Sequence, residues 1–165
     1  VYGGSGDNVV RIDTGDVPAL LTISCAACTS NFIVEGNGGY EDSLLVNAVG
    51  SYTGRQLVDM TGDRTTQLTI QADAAWSVKV EPASTLRSST RTSGSGDDAI
   101  YLGSGANFRL KHTGTSNFIV ESYTPGSQFG DLIVNEIGNY NGVRPIDVPA
   151  YVEIVADGTW SITRA

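Results

Sequence analysis

The sequence predicts an all-β protein made of two tandem small β-sandwich domains, of about seven strands each, related by internal duplication. Three observations carry this expectation. Ordered blocks of sequence recur along the chain. The segments within each copy are short, rich in Val, Ile, Leu, Thr and Phe, and separated by Gly or Asp, which is the strand pattern. No stretch holds a 3.6-residue period for about twelve residues, so helix content should be minimal.

The repeat is explicit. Gly4-Ser5-Gly6-Asp7 recurs as Gly94-Ser95-Gly96-Asp97, and Thr29-Ser30-Asn31-Phe32-Ile33-Val34-Glu35 recurs as Thr115-Ser116-Asn117-Phe118-Ile119-Val120-Glu121. Val46-Asn47, Gly50, Tyr52 and Gly54 recur as Val134-Asn135, Gly138, Tyr140 and Gly142, and Ala72-Asp73 with Trp76-Ser77 recurs as Ala156-Asp157 with Trp160-Ser161. The blocks keep their order while the spacing between copies drifts, so loops differ in length. Two domains, 1–82 and 93–165, with a polar linker at 83–92, account for this. A period of roughly 75–80 residues suits a small domain and is too long for a solenoid unit.

In copy one, strands are expected at 8–12, 19–25, 31–36, 43–49, 55–60, 66–72 and 76–81. In copy two they are expected at 98–102, 107–112, 117–122, 130–137, 143–148, 151–156 and 160–164. The first pair matches Val10 and Ile12 with Ile100 and Leu102. The second matches Leu21, Ile23 and Cys25 with Phe108, Leu110 and His112. The segment 66–72 places Leu68, Ile70 and Ala72 on one face, with Thr69 and Gln71 outward; Val152, Ile154 and Ala156 are their counterparts. Trp76, Val78 and Val80 then alternate with Ser77, Lys79 and Glu81. The last two strands of each copy therefore read as a hairpin with one apolar face, turning at Asp73 and Asp157.

Composition bounds the function. The chain has 165 residues, 40% hydrophobic, with a net charge of −8. Ten basic against eighteen acidic residues, with no basic cluster, argue against a nucleic-acid partner. No apolar run approaches about 18 residues, so no membrane span is expected. One histidine and two cysteines exclude most multi-ligand zinc sites. The sequence opens Val1-Tyr2-Gly3-Gly4 without an apolar leader, which fits a mature exported chain or an excised piece.

The cysteines stand as Cys25-Ala26-Ala27-Cys28. A redox motif would open a helix, whereas both flanks here are strand-like. A zinc half-site would need further ligands, and His112 is the only other soft one. The remaining readings are a pair of free thiols and, favoured, a disulfide across a β-turn, whose ends lie within about 7 Å. Such a bond is expected mainly to stiffen the turn.

The ordered blocks Gly-x-Gly-Asp, Asn-Phe-x-Val, Leu-x-Val-Asn-x-x-Gly-x-Tyr-x-Gly and Ala-Asp-x-x-Trp resemble small repeated all-β modules of exported bacterial proteins, actinobacterial ones among them. The resemblance covers both copies. It implies an extracellular, accessory role and carries no catalytic residue. Copy one departs at Cys25–Cys28, and at Ala74 where copy two has Gly158.

Candidate site residues follow from residue type. Trp76 and Trp160 could stack on sugars, but their parity places them on the inner face. Tyr52 and Tyr140 sit in Gly-x-Tyr-x-Gly turns, where a half-exposed aromatic could serve a ligand. Asp7, Asp97, Asp73 and Asp157 lie in loops, where carboxylates are expected to cap turns, with calcium the alternative; no other cofactor is expected. Asn47 and Asn135, inside apolar strands, are expected to satisfy a backbone group at a bulge. His112 reads as a partly exposed packing residue. The adjacent acid pairs Glu41–Asp42 and Asp97–Asp98 point to opposite strand faces and do not make a two-carboxylate glycosidase site. No Gly-x-Ser-x-Gly elbow sits between a strand and a helix.

The expected function is therefore non-enzymatic: a secreted or cell-surface binding or adhesion module whose partner is a surface glycan or protein. Two alternatives stand beside it. A self-assembling filament or surface-layer subunit would pair strands between copies. A carbohydrate-binding module would show an exposed line of Tyr or Trp.

Overall fold

Alternating apolar residues in short segments require each strand to bury one face, and two stacked sheets satisfy that requirement. The computed structural model describes residues 1–39 and 43–165. Tyr40 and the Glu41–Asp42 pair lie outside the described residues. The chain forms two compact units, Val1–Ala83 and Ser84–Ala165.

Unit 1 contains β1 (Tyr2–Ser5), β2 (Asn8–Arg11), β3 (Ala19–Cys25), β4 (Asn31–Asn37), β5 (Ser43–Val49), β6 (Tyr52–Val58), β7 (Gln67–Gln71) and β8 (Ala75–Pro82). They form two antiparallel sheets, β1-β8-β3-β6 and β2-β7-β4-β5. Unit 2 contains β9 (Ser93–Ser95), β10 (Asp98–Leu102), β11 (Asn107–Thr113), β12 (Asn117–Tyr123), β13 (Asp131–Ile137), β14 (Tyr140–Pro145), β15 (Ala150–Ala156) and β16 (Thr159–Arg164). Its sheets are β9-β16-β11-β14 and β10-β15-β12-β13. Element by element the two topologies are the same. All-β architecture as two sandwiches is thus as expected, with eight strands per unit where seven were predicted.

The extra strand is β1 in unit 1 and β9 in unit 2. Both are glycine-containing and carry no apolar alternation, so nothing in their side chains marks them. They exist because a tryptophan lies across them. Gly4 pairs with Trp76 and Gly94 with Trp160. A Cβ at Gly4 would lie 2.5 Å from the Trp76 ring, and one at Gly94 2.6 Å from Trp160.

The core alternation is otherwise as read. Leu21, Ile23, Phe32, Val34, Leu68, Ile70 and Val78 are buried in unit 1; Phe108, Leu110, Phe118, Val120, Val152, Ile154 and Ile162 are buried in unit 2.

Two expectations are corrected. The last two strands are not a hairpin: β7 and β8 lie in opposite sheets, as do β15 and β16. Both strands of each pair face one core from opposite sides, and alternation looks the same in either arrangement. Tyr52 and Tyr140 do not sit in turns but open β6 and β14. The preceding Gly50 and Gly138, at φ of 87° and 86°, turn the chain so that a strand restarts two residues later. The 83–92 stretch, expected as a polar linker, opens with a 3-10 turn, Ala83–Ser88, in which Ala83 and Leu86 are buried.

Candidate functional site

The repeated blocks converge on one corner of each sandwich. Trp76 Nε1 donates to the Gly6 carbonyl at 3.0 Å, and Trp160 Nε1 donates to Gly96 at the same distance. Asp7 accepts from the Ala72 amide, and Asp97 from the Ala156 amide, both at 3.0 Å. The Gly6 amide donates to Ala74 and the Gly96 amide to Gly158. Gly-x-Gly-Asp and Ala-Asp-x-x-Trp are therefore two halves of a single clasp, brought together from the two ends of each copy. Trp76 and Trp160 are 4% and 3% exposed, so neither ring offers a stacking surface.

The second aspartate of each block ties the same corner to the loop before β4 or β12. Asp73 accepts from the Thr29 amide and, at 2.6 Å, from the Thr29 hydroxyl. Asp157 accepts from the amides of Thr115 and Ser116 and from the Thr115 hydroxyl. These donors hold both carboxyls below the usual 3.8: for Asp73 the Thr29 hydroxyl contributes most, for Asp157 the Thr115 amide. All four predicted loop aspartates thus accept backbone N–H bonds. Among the described residues no group of three or more His, Cys, Asp or Glu is arranged to hold a metal.

An acid dependence follows. A carboxylate whose folded pKa lies below its unfolded value stabilises the folded state fully above the unfolded value. That stabilisation is lost as pH falls through the folded value. Protection of the Thr29, Thr115 and Ser116 amides, relative to their intrinsic exchange rates, is expected to fall below pH 3.8, ahead of that in the central strands. Unchanged protection of these three amides in acid would rule out carboxylates as the ties.

Cys25 and Cys28 form the disulfide, with a Cα–Cα separation of 5.5 Å and the Cys28 amide turned back to the Cys25 carbonyl. The register makes His112 the counterpart of Cys25: Cys25 pairs with Tyr52, and His112 with Tyr140. His112 is not partly exposed but 2% exposed. It stacks on Phe118 at 4.6 Å between centroids, bonds through Nδ1 to the Gly138 carbonyl, and directs Nε2 toward Asp157 at 3.3 Å. Phe32–Tyr52 and Phe118–Tyr140 pack alike, at 5.8 and 5.7 Å. Unit 1 closes this end with a disulfide and unit 2 with an imidazole. Tyr52 and Tyr140 are half-buried parts of that packing, so neither offers an open ring face.

Unit 2 carries an aromatic row that sequence reading did not find. Tyr101, Tyr151 and Tyr123 are register partners across β10, β15 and β12. Their counterparts in unit 1 are Arg11, Gln67 and Asn37, so the repeat gave no signal. The Arg87 guanidinium lies 5.7 Å from both the Tyr101 and Tyr151 rings and donates to the Tyr151 hydroxyl. Tyr151 is 4% exposed under this cover. Tyr123 donates to Glu121 at 2.7 Å, and burial, with Glu153 and Glu121, pushes its hydroxyl pKa well up. The middle of the row is covered, and Tyr101 and Tyr123 on either side are half-buried.

What both copies do present is an edge strand. β5 and β13 each end a sheet and pair on one side only, with β4 and β12. Each has a bulge at the same place. Val34 pairs with Val46 and Glu35 with Leu44, leaving Leu45 as the extra residue. Val120 pairs with Val134 and Glu121 with Leu132, leaving Ile133. Leu44 and Leu132 are 59% and 58% exposed, and Val49 and Ile137 are 78% and 76% exposed. Asn47 and Asn135 are exposed between them. Neither strand contains Lys or Pro. An unpaired edge offers free N–H and C=O groups to another strand, blunted here in part by the bulge and, in β13, by Asp131 and Glu136. The far edges of the same two sheets are shorter, four residues in β2 and five in β10, while β6 and β14 are edges of the other sheets.

No protein-family model matches the chain, and no curated protein matches it.

Proposed function

We propose that the chain is a non-enzymatic binding or adhesion module of an exported protein, which engages an extended segment of a partner protein by strand addition along β5 and β13. The observation that carries this is the matched pair of exposed apolar residues on an unpaired edge in both copies. Strand addition takes affinity from backbone bonds and selectivity from alternate side chains. Two equivalent edges in one chain would add avidity without altering either. The disulfide supports an oxidising setting. No helix among the described residues is long and apolar enough to cross a membrane.

A synthetic peptide of alternating Val and Thr, seven residues long, is a direct probe. It is expected to slow amide exchange in β5 and β13 and nowhere else. Leu44→Lys with Leu132→Lys should weaken its binding about tenfold, the loss of roughly 1.4 kcal/mol of apolar contact. Peptide binding without protection of either edge strand would overturn the proposal. The same edges favour a second reading, a subunit that assembles with copies of itself. Concentration-dependent oligomers in sedimentation, with β5 and β13 amides protected and no peptide present, would select it.

A further inference from the structure

Where the two copies diverge, unit 2 opens a cleft that unit 1 fills. In unit 1, Tyr2 lies opposite Val78 and packs against the core, and its hydroxyl bonds to the Asp13 amide at 3.1 Å. The corresponding residue of unit 2 is Thr92, whose carbonyl accepts from the Ile162 amide in the same ladder position. With a threonine in place of tyrosine, a cleft of about 260 Å³ remains between the sheets. A second change arms it. Val80 of β8 becomes Arg164 of β16, two residues beyond the matched Val78 and Ile162.

The cleft has an apolar floor and a polar rim. Leu102, Phe108 and Ile162 form the floor and are buried. The rim carries Arg91, Arg164, Thr92 and Ser104, with Tyr101 at one side. Arg91 is committed to Asp98 at 2.8 Å, and that carboxylate is almost fully buried. Arg164 donates to the Ser104 hydroxyl and has no carboxylate partner among the described residues. One guanidinium charge is thus left facing the cleft, in a chain of net charge −8. Arginine presents a planar fork that suits a carboxylate.

We propose that this cleft binds a single carboxylate-bearing sugar residue of the uronic acid kind. One unpaired guanidinium matches one carboxylate. Rim hydroxyls match ring hydroxyls, and the apolar floor matches the C–H face of a pyranose. The volume lies just below the roughly 300–1,000 Å³ of drug-sized sites, which fits one ring. The site is independent of the β5 and β13 edges and belongs to unit 2 alone.

The test uses the full chain titrated with sodium D-glucuronate, followed by amide chemical shifts. Shifts are expected at Thr92, Tyr101, Ser104 and Arg164. Glucose and glucuronate methyl ester, which lack the charge, should bind at least about tenfold more weakly, the value of one charge-assisted contact. Arg164→Ala, at an exposed position, should weaken glucuronate by a similar factor without lowering the melting temperature. Thr92→Tyr restores the filling residue of unit 1 and should abolish binding. A tetra-glucuronate that binds more tightly than the monomer identifies a polysaccharide source, and equal affinity identifies the free sugar acid. Glucose binding as tightly as glucuronate, sulfate binding as tightly as glucuronate, or Arg164→Ala binding unchanged would each overturn the proposal.

Discussion

Replacing Trp76 with Ala is expected to destabilise unit 1 by about 3–5 kcal/mol. The ring is 4% exposed and lies over Gly4, so its loss leaves a cavity between β1 and β8 that the backbone cannot close. It also leaves the Gly6 carbonyl without its indole donor. A domain of this size is stable by about 4–12 kcal/mol in total. The substitution therefore removes a large fraction of that stability, and urea denaturation followed by the amide resonances of unit 1 should read it directly. The partner substitution Gly4→Ala should cost about 1–3 kcal/mol, because its Cβ would lie 2.5 Å from the ring. Combined, the two should cost less than their sum by more than about 1 kcal/mol, since removing the ring removes the clash. Strict additivity would show that tryptophan and glycine are not one device. Trp160 and Gly94 make the same pair in unit 2.

Replacing His112 with Ala should destabilise unit 2 by about 2–4 kcal/mol. The ring fills the end of the sandwich in contact with Phe118, and the Gly138 carbonyl loses its bond to Nδ1. His112→Phe keeps the stacked ring and loses only the polar contacts, so it should recover roughly half of the loss. Thermal denaturation of the two variants separates packing from hydrogen bonding. Equal losses for Ala and Phe would assign the whole effect to the carbonyl bond and the Asp157 contact. The position is informative because Cys25 occupies it in unit 1. Two copies of one fold need this end closed and close it by different chemistry, one covalent and one aromatic.

Much of the site was within reach of the sequence for a simple reason. Gly4, Gly6, Asp7, Ala72 and Trp76 recur in copy two because they meet in the clasp, and Asp73 recurs with its partner Thr29. A recurring spacing marks a shared contact without saying which residues meet. The aspartates were readable as turn residues, and hydrogen bonding to backbone amides is what they do. The tyrosine row and the cleft were not readable. Tyr101, Tyr151, Thr92 and Arg164 differ from their counterparts, and a reading based on repetition passes over positions where the copies disagree. The two sites differ in kind: repetition marks the framework, and divergence marks unit 2's cleft.

The all-β class, the two copies, the inward faces of the strands and the Cys25–Cys28 turn are legible in the chain alone. These depend on alternation, composition and local spacing, which are properties of neighbouring residues. Which sheet each strand joins is set only when the chain packs. Alternation tells a strand which face to bury, but that face meets the same core whether β7 and β8 pair or stand opposite each other. Packing also decides that β1 and β9 are strands at all. Their glycines carry no side-chain signal, and their place is set by backbone pairing beneath a tryptophan more than sixty residues away in sequence. Burial of His112, exposure of the β5 and β13 edges and the opening left by Thr92 were decided in the same way. Each depends on what a distant segment does or does not place against that residue.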